Sequence, residues 1–289
     1  MKTLNVIGAG RVGSTLAALW TEKHTFSVQD VLDGSLDGAR SAVALICEGS
    51  PVDALQAMRV ADVWMLTTPD QHIASTCDAL AASGVLRPED IVFHCSGSLG
   101  SLELSAAAAL GAAIASVHPL KTFADPAVAV RTFAGTYCAA EGDAVALYVL
   151  TPAFEHIGAR VSQIDPQAKT VYHAASVVVC NYLTALMETG LRCYEKAGLP
   201  RATALAMIEP IVRETVQNVF DLGTVRALTG PIARGDESVI ARQLDALDEW
   251  DPRVAKIYRD LGAVAVELAR EQGDAGSDAL TRIEALLKR

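Results

Sequence analysis

Aromatic side chains are scarce here. Phe, Trp and Tyr make up 5% of 289 residues, although 51% of the chain is hydrophobic. With alanine abundant, the core is expected to bring helices together on small side chains. Cysteine is present without pattern. Cys47, Cys77, Cys95, Cys138, Cys180 and Cys193 form no CxxC pair and no metal-type spacing, which argues against a zinc module or disulfide framework. They are expected to be buried, reduced thiols of a cytoplasmic protein. Positive charge is also in deficit. A net charge of −10 argues against a nucleic-acid partner, which would require a basic surface. No basic-then-apolar leader precedes Thr3, so no secretory signal is expected. The most apolar stretches, such as residues 174–180, read as too short for a bilayer span, so no membrane partner is expected.

What is present begins at the first residues. A short apolar run over 3–7 enters Gly8-Ala9-Gly10-Arg11-Val12-Gly13, followed by an apolar-faced stretch from Ser14 to Trp20. Strand, glycine turn and helix in that order form a dinucleotide fingerprint. Gly8 permits the tight turn, Gly10 lets the backbone approach a pyrophosphate, and Gly13 lets the helix lie close to the strand. The helix N-terminus offers free N–H groups to phosphate. A glycine-rich corner with no ligand is the alternative.

The first half alternates strand and helix. Strands are expected over residues 4–7, 26–32, 63–67, 91–95 and 113–117, several of them continuous apolar runs suited to a parallel sheet covered on both faces. Helices are expected over 14–22, 39–47, 71–82 and 99–110. A strand over 135–140, a helix over 142–157 and a strand over 160–164 would extend the series. The fold class is therefore α/β, a doubly wound Rossmann sheet, followed by an all-α part. The character changes at Asp165-Pro166. A long helix runs from about 166 to 197 and stops at Gly198, and further helices follow over 203–222, 237–247, 252–272 and 278–287. The expected division is a dinucleotide domain over 1–165 and a helical substrate and dimerisation domain over 166–289, with the active site in the cleft between them.

The coenzyme is NAD or NADP. Asp33, at the end of the second strand and followed by Gly34 and Ser35, is placed to accept hydrogen bonds from a ribose 2′-OH and to repel a 2′-phosphate. It is equally a residue that opens an Asp-Gly turn. Asp30 lies inside the strand. Arg11 and Arg40 are available to a 2′-phosphate, so the choice stays open.

Three loops leave strand carboxyl ends. Thr67-Thr68-Pro69-Asp70 would lie along the nicotinamide ribose, and also reads as an N-cap and proline start for the next helix. Ser96 and Ser98, flanking Gly97, carry short hydroxyls suited to a ligand carboxylate or carboxamide, or to a simple turn. His118 ends the strand before Pro119. An imidazole titrating near neutrality suits proton transfer, whereas a backbone-bonded structural histidine is the alternative.

In the long helix, Lys169 and His173 are i,i+4 neighbours on one face. Asn181 lies about 80° round from His173 at about 100° per residue. A neutral lysine base would require its pKa to fall from about 10.4 to about 7, costing about 4–5 kcal/mol. The proton therefore goes to His118 or His173, and Lys169 is left as a charge or donor. Thr229-Gly230-Pro231-Ile232-Ala233-Arg234-Gly235-Asp236 interrupts the helical part. Such a loop is a candidate for substrate binding by Thr229, Gly230 and Pro231, with Arg234 clamping a carboxylate and Asp236 capping the next helix or orienting Arg234.

These motifs, with Cys95-Ser96-Gly97, residues 116–123, Tyr172-His173-Ala174-Ala175 and residues 227–236, resemble an uncharacterised bacterial family that joins a Rossmann-like domain to a C-terminal helical domain of unknown function. The family is similar to the 6-phosphogluconate dehydrogenase-like superfamily, with pyrroline-5-carboxylate reductase, F420-dependent NADP oxidoreductase and ketopantoate reductase as relatives. The resemblance implies an NAD(P)-dependent oxidoreductase. By position, Ser96, Lys169 and Asn181 resemble the serine–glycine, lysine and asparagine elements of hydroxyacid dehydrogenases, where lysine and asparagine stand one turn apart. Here His173 holds that place. His118-Pro119 resembles an element of prephenate dehydrogenases. NADP-preferring relatives carry arginine where this chain has Gly34.

The expected function is a dehydrogenase or reductase acting on a small carboxylate-bearing keto acid, hydroxy acid or imine, forming a homodimer through its helical domain. His118 or His173 would handle the proton, and Lys169 and Asn181 would polarise the carbonyl. Ser96 counts among both the catalytic and the coenzyme contacts. A non-catalytic NAD(P)-binding regulator and a deazaflavin:NADP oxidoreductase are the alternatives.

Overall fold

A computed structural model describes residues 1–289. Its contacts divide into two compact units, Met1–Val179 and Cys180–Arg289.

The first unit is built on an eight-stranded sheet of β1 (Lys2–Ile7), β2 (Phe26–Leu32), β3 (Ser50–Val52), β4 (Val63–Leu66), β5 (Ile91–His94), β6 (Ala113–Pro119), β7 (Tyr137–Gly142) and β8 (Arg160–Gln163), in the order β3-β2-β1-β4-β5-β6-β7-β8. The expected parallel strands are there, and every pair is parallel except β6 with β7. That reversal departs from a uniformly parallel extension. The connection from β6 to β7 holds only α5 (Pro126–Arg131). At 1.5 Å per residue six residues rise about 9 Å, whereas a seven-residue strand spans about 23 Å. The chain thus re-enters at the end where it left. β3 and α5 were not expected from the sequence. β3 is three residues at a sheet edge with Pro51 in the middle, and proline lowers any strand signal.

Helices α1 (Arg11–Glu22) and α6 (Ala144–His156) cover one face of the sheet, where Trp20 lies edge-on to Phe26, Phe93 and Phe154. Trp20 also donates its indole N–H to the Ala153 carbonyl at 2.9 Å. On the other face α3 (Ile73–Ala82) and α4 (Ser105–Ala109) pack Ile73, Cys77, Leu80 and Ala107 against Trp64 and Leu66. α2 (Leu36–Ile46) is capped by Ser35, whose hydroxyl accepts from the Gly38 N–H at 3.1 Å. Trp20, Phe26, Phe93 and Phe154 therefore form one aromatic cluster, on the face that α1 and α6 cover.

The long helix from residue 166 is not regular. It comprises a 3-10 turn (Pro166–Ala168), α7 (Lys169–Ser176), a π-helical turn (Val177–Asn181) and α8 (Tyr182–Lys196). Three successive valines, Val177 to Val179, are weak α-formers, and the π turn lies on them. The count of 100° per residue from His173 to Asn181 therefore fails. The expectation that no stretch is long enough for a bilayer also needs correction. The helical run Pro166–Lys196 spans 31 residues with mean hydropathy 1.3 in its most apolar window, and by length and composition could cross a membrane. The apolar run counted over 174–180 is only part of it.

The second unit contains the rest of that helix with α9 (Arg201–Leu222), α10 (Thr224–Ala227), α11 (Pro231–Arg234), α12 (Glu237–Trp250), α13 (Pro252–Gln272) and α14 (Ser277–Leu287). Its core joins Ile240, Leu244, Val266, Ala269, Leu280 and Ile283. The cysteines are all free. Cys77 and Cys138 are buried, but Cys47 and Cys180 are exposed, which corrects the expectation of six buried thiols.

Candidate coenzyme and catalytic site

The switch in strand order falls between β1 and its two neighbours, so the loops after β1 and β4 lie side by side. Thr67 bonds them, donating its backbone N–H to the Ile7 carbonyl at 2.8 Å and its hydroxyl to the Gly8 carbonyl at 2.6 Å. Gly8 has φ +86°, and a Cβ there would meet the Thr68 nitrogen at 2.5 Å. At Gly13 a side chain would strike the Thr67 hydroxyl and the Gly8 carbonyl. A Cβ at Gly10, by contrast, would meet nothing within 4 Å. Gly8 and Gly13 are there for close packing, and Gly10 faces open space.

That space is a cavity of about 830 Å³ lined by Gly8, Gly10, Arg11, Val12, Asp33, Gly34, Thr67, Thr68 and Pro69, among others. α1 starts at its edge, with Gly10 as an N-cap without side chain, so the first N–H groups of the helix have no intrahelical partner. The Thr68 hydroxyl is buried and unpartnered. An open glycine, unpaired helix amides and an orphaned hydroxyl on one cavity fit a dinucleotide phosphate. Of the expected coenzyme residues, Ser35 is occupied as the cap of α2, and the Asp33 carboxylate is turned toward Gly38 in the first turn of that helix. Asp30 forms an ion pair with Arg59 at 2.7 Å and belongs to the scaffold.

Beyond β5 and β6 lies a polar cluster. Ser96 donates its hydroxyl to Asp70 Oδ2 at 2.8 Å and accepts from the N–H groups of Ser98 and Leu99 at 3.2 and 3.1 Å. Ser98 donates to the same carboxylate oxygen at 3.0 Å. The two serines thus form a turn bound to Asp70, and Asp70 caps no helix: the 3-10 turn Asp70–His72 has no side-chain cap. The N-cap and proline start read from this loop are not formed: the 3-10 turn begins after Pro69 with no side-chain cap, and the Thr68 hydroxyl bonds to nothing.

His118 contacts Tyr172 (Nδ1 to the phenol oxygen, 3.3 Å), and its ring stands 6.1 Å from that of His173. Gly97 separates them: a Cβ there would lie 2.8 Å from His118 Nε2 and 2.6 Å from His173 Nδ1, so only glycine fits. His173 Nδ1 is buried without a partner. Burial, then the charge of Lys169, pushes His118 down to about 4. It is neutral at pH 7, which corrects the expectation of an imidazole titrating near neutrality. His94 is pushed down to about 4 by burial as well, with Nε2 at 3.0 Å from the Gly100 carbonyl and Nδ1 accepting from the Ser96 N–H. Burial raises the Tyr172 phenol to about 12.

Lys169 and His173 leave the same helix face, but to different partners. The Lys169 ammonium is buried between the Ser116 hydroxyl and Glu141 Oε1. Glu141 also accepts from the Ser101 N–H and hydroxyl at 2.8 and 2.7 Å. Burial lowers the lysine pKa and Glu141 opposes that shift. With a side chain 2% exposed, Lys169 acts on its surroundings as a buried charge. Sequence reasoning missed Glu141, His94 and the roles of Asp70 and Tyr172. A lone carboxylate ending the apolar strand β7 was the available signal, since such a group demands a buried partner.

Asn181, Thr229, Gly230, Pro231 and Arg234 belong to the second unit. Asn181 closes the π turn and is exposed. Gly230 has φ +94° and precedes Pro231 at the start of α11. Arg234 is exposed and forms an ion pair with Asp236 at 3.0 Å, so Asp236 orients the arginine and makes no side-chain cap to α12. Thr229 and Pro231 line a cavity of about 530 Å³, largely apolar, within this unit.

Residues 2–119 match the family model of the Rossmann-like domain, and residues 136–265 match that of a domain of unknown function, DUF2520. The chain joins a Rossmann-like domain to a DUF2520 domain. The DUF2520 match begins within the sheet, near β7, and so takes in Glu141 together with Lys169. No curated protein matches the sequence. Among solved structures, protein TM1727 from Thermotoga maritima is similar at 22% identity and TM-score 0.75, over 93% of this chain and 99% of that one. A Bacteroides fragilis protein described as a candidate NADP oxidoreductase has 22% identity and TM-score 0.73, over 93% and 98%. An imine reductase from Myxococcus stipitatus in complex with NADP+ has 17% identity and TM-score 0.63, over 97% and 99%. At these identities the likeness is one of fold.

Proposed function

We propose that this chain is an NAD(P)-dependent oxidoreductase. The observation that carries the reading is the cavity at the glycine turn, where Gly10 opens onto space and the Thr68 hydroxyl is unpaired. Gly10, Arg11, Val12 and Thr68 would hold the diphosphate, and Thr67 and Pro69 the nicotinamide ribose. A bound nicotinamide supplies or accepts the hydride. NADP-bound and NADP-described proteins of the same fold support the reading.

His118, His173 and Tyr172, grouped around Gly97, are the residues available to orient a small substrate. The substrate is a small keto acid, hydroxy acid or imine. Within the second unit, Asn181, Thr229, Gly230, Pro231 and Arg234 are proposed as substrate-binding residues, with Arg234 reserved for a carboxylate. A cytoplasmic homodimer belongs to the same reading. It is supported by α9, which buries only Ala204 and Ile208 and leaves Met207, Ile211 and Phe220 exposed.

The test is calorimetry of the full chain with NAD, NADH, NADP and NADPH, followed by turnover of His118→Ala. Coenzyme binding that survives His118→Ala while turnover falls supports the assignment. No heat with any of the four overturns it.

A further inference from the structure

We propose that Asp70 selects a cationic reacting group, an iminium converted to an amine, over a neutral ketone. This deepens the oxidoreductase reading and rests on it. The Asp70 carboxylate lines a recess of about 100 Å³ that shares Val12, Thr67 and Thr68 with the coenzyme cavity. Both serine hydroxyls bind Oδ2, so Oδ1 is left without a protein donor. No Lys or Arg forms an ion pair with Asp70, and Lys23, Arg40, Arg59, Arg87 and Lys169 pair with other carboxylates.

Charge counting then favours a cation. Lys169 is balanced by Glu141. Burial keeps His94 and His118 neutral at pH 7. Asp70 is the charge in the cluster with no opposite partner, and a carboxylate fixed by two hydroxyls stabilises an adjacent cation.

The chemistry agrees. Hydride addition to a ketone carbon sends the π pair to oxygen, and the alkoxide must take a proton from the site. Here burial leaves His118 without a second proton to give and makes the Tyr172 phenol a weaker acid than a free one. In an iminium the nitrogen already carries its proton. The carbon gains a C–H bond, the π pair becomes the nitrogen lone pair, the nicotinamide is oxidised, and a neutral amine leaves with no proton drawn from the protein.

The test compares two ring-matched saturated analogues, pyrrolidinium, which keeps the positive charge of the iminium, and neutral cyclopentanol, on the full chain saturated with oxidised coenzyme. Calorimetry is run on the native protein and on Asp70→Asn. The expected result is a preference of roughly tenfold or more for pyrrolidinium, lost in Asp70→Asn while coenzyme affinity is unchanged. Coenzyme binding without that preference, or a preference that survives Asp70→Asn, overturns this inference alone. Absence of coenzyme binding overturns the oxidoreductase reading and this inference with it.

Discussion

The Lys169 ammonium donates to Glu141 at 3.2 Å, with the two side chains 2% and 0% exposed. One partner is on α7 and the other on β7, so the pair fastens the start of the long helix to the sheet. Removing either partner leaves a buried charge uncompensated, at a cost of about 3–5 kcal/mol. Glu141→Gln and Lys169→Met are each expected to lower unfolding stability by that order in urea titrations. The double variant Lys169→Met/Glu141→Gln is expected to lose less than the sum, because no orphan charge remains. Additive losses would show that the two residues do not act as a pair.

Gly8 and Gly10 are expected to separate stability from binding. Gly8→Ala forces a side chain into φ +86° and against Thr68, so the melting temperature falls. Gly10→Val puts its branches into open space, so the fold holds, while coenzyme affinity drops about tenfold to a hundredfold as the phosphate loses its approach. Thermal melts beside NAD(P)H fluorescence titrations distinguish the two effects. A Gly10→Val protein that binds coenzyme normally would place the phosphate elsewhere.

His94 is fully buried and its folded pKa is pushed from 6.5 down to about 4. The sign follows from linkage. Between those values the unfolded chain binds a proton that the folded chain refuses, so stability is complete above about pH 6.5 and is lost as pH falls toward 4. A shift of this size corresponds to about 3 kcal/mol. His118 adds to the loss in the same window. His94→Gln is expected to be less stable at pH 8 and to show a flatter decline from pH 7 to pH 4. An unchanged slope in chemical denaturation across that range would remove His94 from the account.

The architecture was legible because its signals are local. The order strand, glycine turn, helix is visible within residues 3–20, and β2 falls on the expected residues because Phe26, Val28 and Val31, the apolar side chains it buries, already mark a strand in the sequence. The site was legible only in part. His118 and Lys169 were found by residue type, but the state of each depends on neighbours remote in sequence. Glu141 lies 28 residues from Lys169 and Tyr172 lies 54 from His118, and no spacing rule reaches across such gaps. The lysine marked for a substrate carbonyl is turned into the sheet, and the histidine expected to titrate near neutrality is kept neutral by burial. The π turn escaped for a related reason: a hydrophobic pattern tracks periodicity, and one extra residue in a turn shifts the phase without erasing the pattern.

Asp33 gives a prediction on coenzyme choice. It ends β2 beside Gly34 and lines the cavity together with Arg11. Its carboxylate is turned toward the first turn of α2, where the partial positive charge of the helix end stabilises an anion. A carboxylate there accepts from a ribose 2′-OH and repels a 2′-phosphate, and no arginine follows it, since the next residues are Gly34 and Ser35. The native protein is therefore expected to bind NADH more tightly than NADPH. Asp33→Ser is expected to narrow that difference by about tenfold, chiefly by improving NADPH binding through Arg11, with a gain that shrinks as salt is raised because it is electrostatic. Fluorescence titrations of both reduced coenzymes at two ionic strengths decide the matter. If the native protein binds NADPH the more tightly, Arg11 outweighs Asp33 at this end of the cavity, and the carboxylate serves α2 alone.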